Sequence, residues 1–534
     1  MKIALAQINY TVGDVYGNAD KVIDAVNRAK AEGADLVVFA EQSLSGLPAY
    51  DLLRRNNFLE QCEDAIVQIA SHCDGIAAIV GFPQLTNNGT VSAAALIQNR
   101  KVLQYVGKRN ITARREMGFL TPAPISASAG YATIAGEKVA IVVGDDLSRA
   151  GNFDRTVSTI ISVNARKYGR SNMANRFNAL RRLAFMENKN IVLVNQVGGG
   201  ADIVYDGTST VVDRFGHVKM LLKSFEEDFA VCDMAQSVEG DIEVPFESYN
   251  SRTAMLYGAA TLGLKDFFEK SGYKKACVRL SGGVDSAVVA SIAVAALGKE
   301  RVMALIMPSR SSEENAVRDA QALAKNLGVE CHLLPIDDCL AESKKAVSSI
   351  VAPDDIFGAV EDNMLSRIRM TILMTIHNKE GHVILNSTNK SENALGLPAL
   401  YGDTVGALSV TGDLYKREVY NVANHINKIN GREVIPAAII EKEPSSLMMP
   451  ERRATQNLPA YDTIDAIVYR MIECGQSREE IISAGFEYDD VMRIYKMIMQ
   501  SEKKRFQYPP VLRLTECSFG HERVIPLTHK YGDV

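Results

Sequence analysis

The sequence predicts an α/β protein in which helices pack against layered sheets. The first observation is that short apolar segments typical of buried strands alternate along the chain with longer segments of helical periodicity. The second is a turn rich in serine and glycine at residues 281–286, which stands between one such strand and the start of a helix. A ligand loop at the carboxyl end of a strand is typical of a doubly wound nucleotide-binding sheet.

Size and composition favour a large protein of the cell interior. The chain has 534 residues, which predicts two or three domains, and 47% of them are hydrophobic, enough to fill large cores. A net charge of −5 argues against a nucleic-acid-binding protein. The eight cysteines are scattered without a CxxC pair, which indicates reduced thiols in a cytoplasmic protein. No apolar segment approaches the length of a membrane span, so no membrane association is expected.

The first half is expected to alternate strands and helices as a layered α/β domain. Strands are predicted at residues 2–8, 35–41, 75–81, 93–98, 102–105 and 138–143, and helices at 18–32 and 57–71. Two charged residues, Glu41 and Lys108, stand at the ends of such strands. Taken alone, each of them is best interpreted as the solvated end of a strand.

The second half is expected to follow a connector over residues 236–252 and to repeat the strand–helix unit. Strands are predicted at 276–280, 301–307, 330–335 and 382–385, and helices at 253–271, 286–297, from Ser312 onward and at 362–377. Ser312 is expected to cap its helix, because a serine hydroxyl accepts a bond from the free N–H groups of a first turn. The repetition predicts a doubly wound sheet.

Residues 281–286, Ser-Gly-Gly-Val-Asp-Ser, have the chemistry of a pyrophosphate-binding loop. Adjacent glycines let the backbone turn sharply and approach a ligand closely, and the following helix start offers free N–H groups and partial positive charge. Ser281 and Ser286 add hydroxyl donors, and Asp285 adds an oxygen suited to Mg²⁺. The loop is not of the Walker type, because no Gly-Lys-Ser/Thr closes it. The simpler alternative is an ordinary connection between a strand and a helix.

A second polar segment follows the strand predicted at 382–385 and contains Thr388 and Glu392. Since Asp285 and Glu392 both lie just beyond strand ends, we expect them to share one Mg²⁺. Further along, Lys416 is expected to cover the β- and γ-phosphates of a nucleotide from a mobile stretch punctuated by glycines. Each of these residues taken alone would be interpreted as ordinary solvated surface, and it is their occurrence together that indicates a nucleotide site.

Six segments of the second half resemble, in order and spacing, the synthetase domain of the NAD⁺ synthetase family. They are LSGGVDSA, MPSRSSEENAVRDA, EDNMLSRIRM, STNKSENALG, LYGDTVGALSVTGDLYKREVY and IIEKEPSSL, and KKRFQYPP and FGHERVIPLTHKY resemble the family's C-terminal segment. A lone SGGxDS would also fit GMP synthetase, asparagine synthetase or a tRNA-thiolating enzyme, and the later segments favour NAD⁺ synthetase. The resemblance implies an N-type ATP pyrophosphatase domain.

For the second half this resemblance implies an enzyme that amidates deamido-NAD⁺ to NAD⁺. The family uses ATP and Mg²⁺, passes through an adenylated intermediate and releases AMP and pyrophosphate, with ammonia as the group that is added. Members of the family form homo-oligomers, so a homo-oligomer is expected here too.

The family's motifs also imply roles for particular residues of the second half. ATP contacts are implied for Ser281, Gly282, Gly283, Val284, Asp285, Ser286 and Thr388. Contacts with deamido-NAD⁺ are implied for Asn363, Glu392, Tyr401, Asp403 and Lys504. Asp285 and Glu392 would hold the metal, and Asp285 and Lys416 would act in catalysis.

Three segments of the first half resemble the nitrilase-type amidase family, and the last of them resembles the glutaminase domain of glutamine-dependent NAD⁺ synthetases. They are LVVFAEQSLSG, VGKRNIT and VNQVGGGADIVYDGTS. The resemblance implies an α-β-β-α sandwich, with Glu41 as general base and Lys108 stabilising an oxyanion. The domains expected are therefore a nitrilase-like domain over 1–235, the connector over 236–252 and a synthetase domain over 253–534.

The catalytic cysteine of that family has no counterpart here, because Gly144 stands at its position in the segment Val-Val-Gly-Asp-Asp-Leu. A glycine has no side chain with which to form a glutamyl thioester. The family's Asn-Ala-Ser-Pro also reads Asn-Ala-Arg-Lys here, with Arg166 and Lys167 at its end. We therefore expect Glu41 and Lys108 to be remnants, and free ammonia, supplied by a separate source, to be the nitrogen donor. The alternatives are an ordinary glutamine-dependent enzyme, a scaffold without activity, or a different amidating enzyme of the same fold.

Overall fold

The structure is a computed structural model that describes residues 1–112, 116–124, 130–149, 153–169, 172–235, 251–442 and 458–530. The chain divides into two compact units, residues 1–250 and residues 251–534. Most of the predicted connector, residues 236–250, lies outside the described residues. Within the described ranges, none of the helices combines the length and the apolar character needed to cross a bilayer.

The first unit contains two six-stranded sheets. The first has the order β14-β1-β2-β3-β4-β5, and its strands are β1 (Lys2–Gln7), β2 (Leu36–Val38), β3 (Ala77–Thr86), β4 (Gly89–Gln98), β5 (Lys101–Gly107) and β14 (Asp228–Asp233). The second has the order β13-β12-β9-β8-β7-β6, and its strands are β6 (Gly130–Ile134), β7 (Glu137–Val143), β8 (Thr159–Asn164), β9 (Asn190–Asn195), β12 (Thr210–Val212) and β13 (Val218–Leu221). A two-stranded ribbon pairs β10 (Val197–Gly200) with β11 (Ile203–Asp206).

The sheets of this unit lie face to face with a helix layer on each outer side. Its helices are α1 (Val15–Ala31), α2 (Asn56–His72), α3 (Asp146–Arg149) and α4 (Asn172–Glu187), with a 3₁₀ helix at Tyr50–Arg54. Because successive side chains of a strand point to opposite faces, Ile3 and Leu5 pack between the sheets while Ala4 packs against the α1 and α2 layer. Leu180 of α4 covers the outer face of the second sheet. The predicted α-β-β-α sandwich is confirmed.

The second unit is built on one sheet in which every pair of neighbouring strands is parallel. Its strands are β15 (Lys275–Arg279), β16 (Val302–Ile306), β17 (Glu330–Leu333), β18 (His382–Asn386) and β19 (Leu408–Ser409). The order is β17-β16-β15-β18-β19. The strand order therefore reverses at β15, where the chain goes on to β16 on one side and later reaches β18 on the other. Such a switch point opens a crevice beyond the carboxyl ends of the two strands, and the predicted doubly wound sheet is confirmed.

The helices of the second unit surround this sheet. They are α5 (Arg252–Ser271), α6 (Val284–Leu297), α7 (Glu314–Leu327), α8 (Asp337–Ala346), α9 (Gly358–Glu380), α10 (Lys390–Leu395), α11 (Lys416–Asn430), α12 (Ala437–Glu441), α13 (Tyr461–Ile472), α14 (Arg478–Ser483), α15 (Tyr488–Gln500) and α16 (Glu502–Arg505), with 3₁₀ helices at Lys299–Arg301 and Pro353–Asp355. The core helix α6 buries most of its length because it is apolar on all sides.

Three local predictions are corrected by the structure. The strand predicted at 35–41 ends at Val38, so Glu41 lies in a turn beyond it. The helix predicted from residue 286 begins at Val284, which places Asp285 in its first turn. Ser312 does not cap α7, whose N-cap is Glu313 without a side-chain bond. The Ser312 hydroxyl instead accepts a hydrogen bond from the Ser309 N–H at 2.9 Å, because the chain makes a tight turn before the helix begins.

Candidate functional site

The serine and glycine loop predicted at 281–286 lies at the switch point of the second unit. Gly282 has φ +77°, and a Cβ there would lie 2.3 Å from the carbonyl oxygen of Ala316, so only glycine fits. Gly283 caps α6 without any side-chain bond to the first turn, which leaves the helix start open to an anion. Ser281 is exposed, and its hydroxyl lies 3.2 Å from that of Ser286. The loop therefore presents N–H and O–H donors at the start of α6.

Two carboxylates and an ammonium group meet beside this loop. Lys416, the first residue of α11, is buried and makes a close ion pair with Asp285. The Nζ of Lys416 also lies 3.8 Å from Oε1 of Glu392 in α10. The cluster forms because β15 and β18, the strands that precede Asp285 and Glu392, are neighbours in the sheet. All three residues were predicted for the site.

The charges in this cluster act strongly on one another because they are buried. Burial and, second to it, the nearby Asp285 carboxylate raise the pKa of Glu392 to about 7. Burial alone would lower the pKa of Lys416, but Asp285 and Glu392 outweigh it and raise that pKa above its usual range. One ammonium group therefore faces two carboxylates. The cluster favours an additional cation, because a second positive charge would stabilise the ionised form of Glu392.

The donor set fits Mg²⁺ rather than a softer metal. Among the described residues, no group of three or more histidine, cysteine, aspartate or glutamate side chains forms a closed metal site. Mg²⁺ needs no such cage, since proteins usually hold it through one or two carboxylates together with substrate phosphates and water. Asp285 and Glu392 supply two carboxylates, and the neighbouring loop offers donors for the phosphates.

Asn389 is a member of this cluster that sequence reasoning missed. Its side-chain Nδ2 donates to Oδ1 of Asp285 at 2.8 Å. Its Oδ1 accepts the backbone N–H of Glu392 at 2.9 Å, and Glu392 bonds back to the Asn389 N–H in a capping box. Asn389 thus fixes the two carboxylates relative to each other. The Asn-x-x-Glu spacing at the start of a helix is the one sequence signal that points to it.

The wall of the crevice between β15 and β18 carries other residues implied by the sequence. Arg279 lies 3.2 Å from Oδ1 of Asp403, and the Ser366 hydroxyl donates to the same carboxylate at 3.1 Å. The Thr388 hydroxyl donates to the Asp403 carbonyl at 3.2 Å. A cavity of about 150 Å³ is lined by Arg279 together with Ser281 of the loop. Asp403 therefore pairs with an arginine that lines the same cavity as the loop, and Thr388 is joined to this wall through the Asp403 carbonyl.

Three more residues implied by the sequence differ in their surroundings. Asn363 is half-buried on α9, one helical turn before Ser366. Tyr401 is exposed, and its backbone N–H donates to the Thr404 hydroxyl at 3.0 Å. The Nζ of Lys504 donates to the carbonyls of Gly396 and Pro398 at 2.5 and 3.2 Å, so it ties α16 to the loop after α10.

A buried lysine that the sequence analysis passed over ties the C-terminal segment to this site. Lys390 is fully buried, and its Nζ lies 3.0 Å from both Asp413 Oδ1 and Glu473 Oε1. The same Nζ donates to the Thr515 hydroxyl at 2.7 Å and to the Cys517 carbonyl at 3.0 Å. Buried charges persist only when they are paired and hydrogen-bonded, so this arrangement holds several distant segments in place. A lysine inside a polar sequence segment gives no sign of such burial.

The N–H groups at the start of α11 are held by two side chains. The Ser391 hydroxyl accepts from the Lys416 N–H at 2.9 Å and donates to Asp465 in a close contact. Oδ2 of Asp465 accepts from the Arg417 N–H at 3.0 Å. These bonds satisfy donors that a helix start leaves free, and they orient the helix turn that carries Lys416.

Asp465 is expected to make the stability of the second unit depend on pH in the window between its unfolded and folded pKa values. Burial raises its pKa from 3.8 to about 6, so in this window the folded state keeps a proton that the unfolded chain releases. Stability therefore falls as the pH rises, by about 3 kcal/mol in all. Urea unfolding of the parent and of the Asp465→Asn variant at several pH values measures how the free energy of unfolding changes with pH. The variant should lack the decrease that Asp465 causes, and the same pH dependence in both proteins would contradict the expectation.

The first unit contains a second cluster of charges around the predicted pair Glu41 and Lys108. Both are buried, and Nζ of Lys108 lies 3.1 Å from Oε1 of Glu41. Lys108 also pairs with Glu116 at 2.9 Å, and the Ser92 hydroxyl donates to Glu41 at 2.7 Å. Burial raises the pKa of Glu41. The interpretation of these residues as solvated strand ends is wrong, and the buried Glu116 and Ser92 were not predicted, since nothing in their spacing marks them.

Gly144 lies against this cluster, at the carboxyl end of β7. Its φ is +58°, and a Cβ built on it would lie 2.8 Å from both Oε2 of Glu41 and Nζ of Lys108. Contacts this short require the neighbouring side chains to move. The ends of Glu41 and Lys108 thus occupy the space that a side chain at position 144 would need.

Comparisons with known proteins decide the family. The family model described as NAD synthase matches residues 256–508, and the model described as carbon–nitrogen hydrolase matches residues 2–242. The glutamine-dependent NAD⁺ synthetase of Xanthomonas campestris pv. campestris is 34% identical in an alignment 547 residues long, which covers 100% of this chain and 98% of the relative. The chain belongs to the glutamine-dependent NAD⁺ synthetase family. The relative in Synechocystis, of the same description, is also 34% identical, with 99% of each chain covered.

Solved structures agree with this family assignment. The glutamine-dependent NAD⁺ synthetase of Acinetobacter baumannii in complex with adenosine diphosphate is 30% identical, with a TM-score of 0.76 and 98% of each chain covered. The synthetase of Cytophaga hutchinsonii, at 16% identity and a TM-score of 0.86, covers 99% of this chain and 98% of its own, and shows the shared fold. The family recognised from the sequence is therefore confirmed, and the chain is an enzyme of the NAD⁺ synthetase family.

Proposed function

We propose that the second unit amidates deamido-NAD⁺ to NAD⁺ with ATP, releasing AMP and pyrophosphate. The observation that carries this proposal is the cluster of Asp285, Lys416 and Glu392 beside the open start of α6. A carboxylate resists attack by ammonia because its leaving group would be oxide. Converting it to an acyl-adenylate replaces that leaving group with AMP.

The first step joins the deamido-NAD⁺ carboxylate to the α-phosphorus of ATP and expels pyrophosphate. The loop residues Ser281, Gly282, Gly283, Val284 and Ser286 would hold the departing phosphates through backbone N–H and hydroxyl groups, with Thr388 contacting ATP. Lys416 would neutralise charge as pyrophosphate forms, because its ammonium group lies next to the loop. The rate then depends on positioning and charge stabilisation rather than on acid–base chemistry.

Asp285 and Glu392 would hold Mg²⁺, which supplies positive charge to the phosphate oxygens of bound ATP. The contacts proposed for deamido-NAD⁺ are Asn363, Glu392, Tyr401, Asp403 and Lys504. In the second step ammonia attacks the acyl carbon and loses a proton, and the bond between that carbon and the oxygen of AMP breaks. The products are the amide and AMP, and one oxygen of the original carboxylate leaves with AMP.

We propose free ammonia as the nitrogen donor. The support is the glycine at position 144, which offers no nucleophile and beside which Glu41 and Lys108 fill the space next to the backbone. No cysteine of the chain lies near that position in sequence, so neither Gly144 nor its neighbours in the chain supply the sulfur that a thioester needs. Glu41, Lys108 and Gly144 would then be structural remnants.

The donor is tested by measuring NAD⁺ formation with ammonium chloride and with glutamine in otherwise identical mixtures. We expect the glutamine-supported rate to be roughly a hundredth of the ammonium-supported rate or less. The reason is that removing the nucleophile of an enzyme lowers its rate by several powers of ten. Adding a separate glutaminase should restore the rate with glutamine, which serves as the control. Comparable rates from both donors in its absence would establish the alternative, a fully glutamine-dependent enzyme, and no NAD⁺ from either would favour a scaffold.

We also propose that the protein acts as a homo-oligomer in a reducing, cytoplasmic compartment. Five apolar side chains between the edge strand β17 and the start of α9 are exposed, namely Leu333, Ile350, Val351, Phe357 and Val360, and a second copy of the chain packed at this edge would cover them. All eight cysteines are free thiols, as expected in a reducing compartment. Light scattering that shows only a single chain at working concentration would contradict the oligomer.

A further inference from the structure

The Lys416 ammonium group contacts both of the carboxylates that are proposed to hold Mg²⁺. It makes a close ion pair with Oδ2 of Asp285, and its Nζ lies 3.8 Å from Oε1 of Glu392. The second oxygen of each carboxylate is directed to Asn389. Oδ1 of Asp285 accepts from the Asn389 amide at 2.8 Å, and Oε2 of Glu392 accepts from the Asn389 backbone N–H at 3.4 Å. The oxygens left for an ion shared by the two carboxylates are therefore those that Lys416 contacts.

The ammonium group and Mg²⁺ would not share these oxygens. Mg²⁺ requires contacts of about 2.1 Å with its oxygen ligands, and two cations that close to one carboxylate repel each other strongly in a partly buried site. Together they would also carry more charge than the two carboxylates. The side chains of Asp285 and Glu392 are each 17% exposed, and that of Lys416 is 4% exposed. An ion can therefore reach the carboxylates, but it binds both of them only if the ammonium group moves away.

The side chain of Lys416 can leave Asp285 without disturbing its helix. The Lys416 backbone N–H donates to the Ser391 hydroxyl at 2.9 Å, which fixes the first turn of α11, while the four-carbon stem is flexible. A buried ammonium group that lost its carboxylate would be costly unless another anion replaced it. The open helix start at Gly283 lies two residues before Asp285. Phosphates held by its N–H groups would supply that anion.

We propose that Lys416 and Mg²⁺ compete for Asp285, and that ATP ends the competition by offering phosphate oxygens to the ammonium group. Lys416 then keeps out a metal ion that arrives without nucleotide, in addition to neutralising charge as pyrophosphate forms. Metal and nucleotide each strengthen the binding of the other, because each makes room for or receives the same side chain. This inference rests on the ATP site proposed above, and it is independent of deamido-NAD⁺ and of the nitrogen donor.

Calorimetric titration of the full chain with Mn²⁺, which binds the same oxygen ligands as Mg²⁺, tests the competition in the absence of nucleotide. Lys416→Met keeps the approximate length of the side chain and removes its charge, so it should bind Mn²⁺ about tenfold more tightly than the parent. Adding Asp285→Asn to this variant should remove the gain, which locates the ion at this carboxylate. The matched control is Lys428→Met, the same change at an exposed position of α11, and it should bind like the parent. Equal affinities of the parent and Lys416→Met would overturn the proposal.

A second measurement uses the parent protein alone. Crystals soaked with Mn²⁺ are compared with crystals soaked with Mn²⁺ and α,β-methylene ATP, which resists cleavage between its α- and β-phosphates. We expect the anomalous signal of Mn²⁺ at Asp285 and Glu392 only with the nucleotide, and Nζ of Lys416 on the phosphates there. An ion on Asp285 beside an unmoved Lys416, or no ion there in either crystal, would overturn the proposal even if the Lys416→Met variant fails to fold.

The two proposals fail in different ways. If the exchange is not observed while NAD⁺ forms from ammonium, only the competition between Lys416 and Mg²⁺ is refuted. If the exchange is observed and no NAD⁺ forms from ammonium or from glutamine, the amidation is refuted and the competition stands.

Discussion

Replacing Asp285 by asparagine should lower the rate of NAD⁺ formation by about a thousandfold, with little change in the fold. The amide keeps the size of the carboxylate and can still accept the bond from Asn389. It removes the charge that pairs with Lys416 and that is proposed to hold Mg²⁺. Among the described carboxylates, the ammonium of Lys416 would then pair with Glu392 alone, 3.8 Å away, and one of the two proposed metal ligands would lose its charge.

The measurement is steady-state formation of NAD⁺ and AMP with saturating ammonium. Since the lost interactions act on charge that develops during the reaction, kcat should fall far more than the KM for ATP rises. The matched control is Asp489→Asn, the same change at an exposed carboxylate on α15, and it should keep the parental rate. A rate for Asp285→Asn within about tenfold of the parent would remove Asp285 from the metal site.

Introducing the missing cysteine by Gly144→Cys should not create an enzyme that uses glutamine. The backbone at this position has φ +58°, and the new Cβ would lie 2.7 Å from Cε of Lys108 and 2.8 Å from Oε2 of Glu41. The cluster must therefore open before a thiol can enter, and the introduced sulfur would not be held in line with its base. Mass spectrometry after incubation with glutamine, together with the glutamine-supported rate, measures the outcome. A covalent glutamyl adduct and a rate approaching that with ammonium would refute this expectation.

The crowding at Gly144 is separable from backbone strain by a pair of alanine variants. Gly136, in the turn between β6 and β7, has φ +79° and no atom within 4 Å of the position that a Cβ would take. Gly144→Ala and Gly136→Ala therefore share the cost of a left-handed backbone, and only the first adds steric overlap. We expect Gly144→Ala to be the less stable by about 1–3 kcal/mol. Calorimetric unfolding of the two variants gives this difference directly. Equal stabilities would show that the side chains of Glu41 and Lys108 move away from position 144 without a measurable cost.

The architecture was predictable from the sequence because it depends on periodicity. Ile3 and Ala4 pack into two different cores because neighbouring strand residues point to opposite faces, and α6 is buried because it is apolar on all sides. Both features follow directly from the order of apolar residues in the sequence. The loop at 281–286 and the pair Asp285 and Glu392 were found for a related reason. Residues that follow neighbouring parallel strands meet at one edge of the sheet, so their positions in the chain predict their proximity.

The residues that were missed depend on contacts between distant segments. Lys390 is a charged side chain in polar surroundings, which is the pattern of an exposed surface, yet it is buried against the carboxylates of Asp413 and Glu473, which come from later segments of the chain. Its environment is created by tertiary packing, so no local periodicity in the sequence marks it. The predicted cap of α7 was wrong for a different reason, because Ser312 had a competing bond to the Ser309 N–H within its own turn.

The way Lys390 is paired has a consequence for biosynthesis. Asp413 Oδ2 accepts from the N–H groups of Leu514 and Thr515 and from the Ser518 hydroxyl, and Lys390 itself reaches Thr515. A nascent chain still lacking these residues would carry poorly compensated charges in its interior. The second unit therefore completes its interior only after Ser518 has left the ribosome, and termination before this point would yield a product for proteolysis rather than a shortened enzyme.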